Sequence, residues 1–95
     1  MSHEAPSLET LETVARQWRA RIDALESQVD DIHGPSQLTT IRLINRLKQQ
    51  QILVDQYLNL VKKEGNTAWR RNVAELDHML TDIDDTYRRA LVYLN

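Results

Sequence analysis

The stretch LETLETVARQWRARIDALESQVDDI, residues 8–32, places Leu8, Leu11, Ala15, Trp18, Ile22, Leu25, Val29 and Ile32 at alternating spacings of three and four. This is the signature of a helix that buries one stripe against other helices, a heptad with both seam positions filled. Working outward, the spacing returns in Thr40, Leu43, Leu47, Gln50, Val54, Tyr57 and Val61, interrupted halfway by a glutamine. It returns unbroken in Trp69, Val73, Leu76, Leu80, Ile83, Tyr87, Ala90 and Leu94. The chain therefore reads as all-α, with three amphipathic rods.

Turn chemistry sets the boundaries. Pro6 and Ser7 precede the first rod, and Ser7 is suited to accept a bond from a free N–H while Glu9 and Glu12 face the positive end of the dipole. Gly34 and Pro35 stop that rod after His33, with Ser36 as the expected cap of the second. Gly65 and Asn66 repeat the stop signal, and Asn66 or Thr67 is expected to cap the third. The reading is a disordered tail over 1–6 and a single domain over 7–95, with helices at about 7–33, 36–64 and 67–94. Rods of about 40 Å joined by turns of about two or three residues fold back on one another. The expected architecture is an antiparallel up-down-up three-helix bundle with coiled-coil-like packing. In an oligomer the third helix is free to pack on a neighbouring copy. Helix two also places Ile44 and Leu58 on one flank of its seam and Leu53 and Leu60 on the other, a stripe broad enough for two neighbours.

Composition narrows the function classes. At 95 residues there is room for one core. Cysteine is absent, which excludes disulfides, thiolate zinc sites and cysteine nucleophiles. Lys and Arg number 12 against 14 Asp and Glu, so net charge does not favour nucleic acid. Apolar runs are far shorter than the roughly 20 residues of a membrane span, and Met1–Ser7 carries no secretory pattern. A cytoplasmic location without membrane contact is the expectation. The few serines sit in the tail, at caps or on an outer face, and no nucleophile, base and orienter trio or phosphate loop can be assembled, so no enzyme and no cofactor is expected. Glu75 and His78, like Asp30 and His33, have the E-x-x-H type of spacing found in diiron bundles, but the heptad turns Glu75 and His78 outward and separates the two pairs along the rods.

Three departures from the heptad carry the functional suspicion. Gln50 interrupts the seam at the height of Trp18, where an indole N–H bonded to its amide oxygen would make a polar core layer, the alternative being a tolerated glutamine that reaches to the rim. Lys62 and Lys63 end helix two, and Arg70 and Arg71 stand in the first turn of helix three, where the dipole disfavours cations. These four suit an anion or an acidic partner segment, unless Glu64 and Glu9 or Glu12 neutralise them. The C-terminal Ala90, Leu91, Val92, Tyr93 and Leu94 are apolar all round the helix, with Ile41 near the same end. A non-enzymatic protein-protein interaction module follows, using Ile41, Leu91, Val92, Tyr93 and Leu94 for self-association or partner docking. The alternative is a nucleic-acid-binding regulator that uses Arg16, Arg19 and the basic turn between helices two and three.

Overall fold

The computed structural model describes the backbone of residues 7–93 and their side chains apart from those of 66–71. Ser7 opens α1 (Leu8–Gln28), its hydroxyl accepting from the Thr10 N–H at 3.1 Å. The helix stops short of the expected His33: it tightens into a 3₁₀ turn at Val29–Asp31, and Ile32 is extended. Asp30 and Asp31 account for this, because acidic side chains oppose the negative end of the dipole and no cation stands in the last turn of α1. Gly34, at φ 81°, then turns the chain.

The second helix, α2 (Pro35–Glu64), begins at Pro35 and not with Ser36 as its cap. Proline has no N–H to leave unsatisfied at a first helical position, so it starts the helix without a side-chain cap. Gly65, at φ 88°, both ends α2 and precedes α3 (Asn66–Val92). Asn66 is already helical, and neither it nor Thr67 occupies the cap position.

The helices pack on one another through a shared core. From α1 it takes Leu11, Ala15, Trp18, Ile22 and Leu25, with Val29 just beyond. From α3 come Leu76, Leu80, Ile83 and Ala90. The α2 contribution is turned from its expected centre. Thr40, Leu47, Val54 and Val61 are buried as the spacing predicts, but Ile44, Gln51 and Leu58 lie deeper than Leu43, Gln50 and Tyr57, which are half-buried. Leu53 and Leu60, expected to widen the stripe on the other flank, are 54% and 56% exposed. α3 meets α2 on the Tyr57 side and α1 meets it on the side of Lys48, Asp55 and Lys62, and the arc that carries Leu53 and Leu60 is left to water. Buried hydroxyls are satisfied locally: Thr40 donates to the Ser36 carbonyl at 2.8 Å and Thr86 to that of Asp82 at 3.0 Å.

Specific polar pairs fix which faces meet. Glu12 meets Lys62 at 2.9 Å, Arg19 meets Asp55 at 2.6 Å, and Glu26 meets Lys48. The α1 partners rise by seven as the α2 partners fall by seven. Between α2 and α3, the Tyr57 hydroxyl donates to Asn72 Oδ1 at 2.6 Å. Trp18 and Tyr87 join α1 to α3 edge-on, ring centroids 5.3 Å apart.

Two substitutions probe this frame by urea unfolding. Leu47→Ala, at a fully buried position, is expected to cost about 2–5 kcal/mol. Gly65→Ala is expected to cost about 1–3 kcal/mol through backbone strain alone, since φ 88° with ψ -167° is a region held almost only by glycine and no atom lies within 4 Å of an added Cβ.

Candidate interaction surfaces

The glutamine layer at mid-length of α2 differs from its expected form. Trp18 is buried, with the Arg21 guanidinium 4.9 Å from its ring centroid and Tyr87 at its edge. It does not bond Gln50, whose Oε1 is buried without a partner in the protein. The deeper amide is Gln51: its Nε2 donates to Asp55 Oδ1 at 3.1 Å, and Asp55 in turn holds Arg19, while its own Oε1 is also unpartnered. The polar layer therefore runs from Gln51 through Asp55 to the α1 surface, and Trp18 belongs to the aromatic contact with α3. Adjacent glutamines at 49, 50 and 51 concealed which one faces inward.

Tyr57 closes the same region toward α3. Desolvation first, then the Glu75 and Glu64 carboxylates, raise its hydroxyl above the ordinary tyrosine value, which keeps it a donor to Asn72. Through linkage, this contribution to stability is fully present below the unfolded value and is lost as pH rises beyond it.

Of the basic residues at the turn after α2, Lys62 is tied to Glu12 across the helix interface and Lys63 is exposed without a salt bridge among the described residues. The side chains of Arg70 and Arg71 lie outside the described residues. Arg19 is held by Asp55, and Arg16 reaches Thr13 Oγ1 at 3.4 Å. Surface grooves follow the α1 and α2 junction, lined by Glu12, Arg16, Arg19, Asp55, Asn59 and Lys62. Two of the three cations there, Arg19 and Lys62, are paired with carboxylates. Glu75, His78, Asp30 and His33 are all exposed, and among the described residues no three metal-competent side chains stand together. Nor is any described helix long and apolar enough to cross a membrane.

The C-terminal apolar run divides between core and surface. Ala90 is fully buried and Leu91 packs half-buried against the core, whereas Val92 is 70% and Tyr93 41% exposed. Leu94 lies outside the described residues. Ile41 is 36% exposed, and Leu38, one helical turn before it, is 64% exposed. Leu38 and Ile41 lie near the start of α2, and Val92 and Tyr93 at the end of α3. Leu38 escaped the sequence reading because it is off every seam; its i, i+3 relation to Ile41 was the available signal.

The other exposed large apolar residues, Ile52, Leu53 and Leu60, all belong to α2, and Ile52 borders a groove shared with Arg19, Ile22 and Asp23 of α1. No family model, curated protein or solved structure matches the chain.

Replacing Gln51 by leucine removes a buried amide oxygen that has no partner at the cost of one bond to Asp55. Gln51→Leu is expected to raise stability by about 1 kcal/mol, read as a higher urea midpoint with unchanged slope. A lower midpoint would mean that the Asp55 bond outweighs the orphaned oxygen.

Proposed function

We propose that this chain is a non-enzymatic helical interaction module, an up-down-up three-helix bundle with coiled-coil-like packing that docks a protein partner through its apolar C-terminal end, where α3 finishes and α2 begins. The descending order of the α1–α2 ion pairs and the Tyr57–Asn72 bond near the Gly65 turn support the antiparallel arrangement. The antiparallel reading places Leu38, Ile41, Val92 and Tyr93 at the same end of the molecule, and their exposure as apolar residues carries the functional reading. Single exposed apolar residues are ordinary; a group contributed by two helices at one end is what a partner helix or loop fits. The pairing of Arg19 and Lys62 with carboxylates weakens the nucleic-acid alternative, because a phosphate backbone would have to displace Asp55 and Glu12.

Affinity capture from the native cell tests the reading. The tagged full chain and a Leu38→Asp, Val92→Asp double variant are compared, both sites being largely exposed so that helicity is retained. Proteins held by the former and lost from the latter are expected. Identical retained sets would overturn docking at this end.

A further inference from the structure

Among the described residues, the outer face of α2 is unlike any other exposed helix surface. Gln49, Ile52, Leu53, Gln56, Asn59 and Leu60 are all exposed and all uncharged. The only charged residues between Arg46 and Lys63 are Lys48, Asp55 and Lys62, and each is drawn aside into an ion pair with α1. Arg46, Leu53 and Leu60 are spaced by seven, as are Gln49, Gln56 and Lys63, so the face is itself a heptad seam running down the back of the helix.

Resting on the interaction-module reading, we infer that this face mates with the same face of a second copy, the two α2 helices running antiparallel about a twofold axis at Gln56. The face is self-complementary in that arrangement. Rotation about Gln56 sets Ile52 against Leu60 of the partner subunit, and the reverse, so that apolar meets apolar. Gln56 meets its own copy, and an amide is both donor and acceptor, so the pair satisfies itself. A twofold of this kind also brings like flanks together. Arg46 and Glu64 are 18 residues apart, five full turns, so they project from the same flank at opposite ends of the seam. Each then lies within about two residues of its opposite charge on the second copy, a gap of about 3 Å along the axis. Both are exposed, and neither forms a salt bridge among the described residues. Within one chain they stand about 27 Å apart and cannot meet. The outer faces of α1 and α3 offer no comparable mate: among the described residues no large apolar side chain of α1 is exposed, and those of α3 are confined to its end.

Sedimentation equilibrium of the full chain across a hundredfold dilution tests this. The wild type is expected to pass from dimer to monomer, and Leu53→Asp with Leu60→Asp to stay monomeric with wild-type helicity by circular dichroism. Arg46→Glu and Glu64→Arg are each expected to weaken the dimer by about tenfold or more, and the two together to restore it. A wild type monomeric throughout, or a dimer indifferent to the Leu53 and Leu60 changes, would overturn the proposal. Single reversals without effect would overturn the twofold at Gln56. The Leu38→Asp, Val92→Asp variant is expected to dimerise normally. If it alone dissociates the dimer, the α2 face is not the interface and the end patch is; a monomer that still captures partners through its end refutes only the dimer.

Discussion

Burial of α2 on one side only is the constraint on which the other features depend. Thr40, Ile44, Leu47, Gln51, Val54, Leu58 and Val61 form one continuous stripe, and α1 and α3 both cover it. Because α1 and α3 also touch each other, through Trp18 and Tyr87, they stand close together around α2 and cannot spread over its circumference. A helix so placed hides one arc and exposes the rest, whatever its residues are. On α1 and α3 the remaining arc is largely charged. On α2 it is amide and aliphatic, and that contrast makes the back of α2 a surface and not merely an outside.

The ion pairs along α1 and α2 restrict the packing in a particular way. Charge alternates at seven-residue steps: acidic, basic, acidic at Glu12, Arg19 and Glu26; basic, acidic, basic at Lys48, Asp55 and Lys62. A slip of one heptad would set Glu12 against Asp55 and Arg19 against Lys48. Exposed pairs of this type stabilise by only about 0–1 kcal/mol each, so their force lies in opposing the wrong register. They do not choose direction, since an alternating triplet reads the same from either end. A short connection chooses it: only Ile32, His33 and Gly34 separate the 3₁₀ turn from α2, too little chain to return to the far end.

The seams of α1 and α3 were legible because each offers a single register of three and four. Helix two offers two. Thr40, Leu47, Val54 and Val61 belong both to the series through Leu43, Gln50 and Tyr57 and to the series through Ile44, Gln51 and Leu58. At each ambiguous step adjacent residues of similar character compete, Leu with Ile, Gln with Gln, Tyr with Leu, so hydrophobicity cannot rank them. The choice rests on where α3 and α1 lie, which is tertiary information. Misplacing the centre by one residue put Leu53 and Leu60 inside and made Gln50 the buried amide. The early end of α1 was obscured differently: Val29 and Ile32 keep the apolar spacing, while the adjacent aspartates already oppose the dipole. For the candidate site, Val92, Tyr93 and Ile41 were visible as excess apolar residues, but burial of Leu91 follows from packing. The charge alternation was present in the sequence at heptad spacing and would have predicted the α1–α2 contacts.

Glutamine and asparagine on the back of α2 give that face an intermediate character with a physical logic. Lysine and glutamate would keep it solvated at all concentrations, because burying a charge without a partner costs several kcal/mol. A fully aliphatic stripe would leave the single chain prone to indiscriminate association. Amides between Ile52, Leu53 and Leu60 are adequately hydrated when exposed and can pair with one another when covered. Arg46 at one end and Lys63 with Glu64 at the other close the face after about five turns, so the area available to a second helix stays at the small end of specific interfaces. The proposed association through it is therefore expected to be weak and exchangeable. The proposed twofold at Gln56 would leave Leu38, Ile41, Val92 and Tyr93 uncovered, so that one chain would be able to use both surfaces at once.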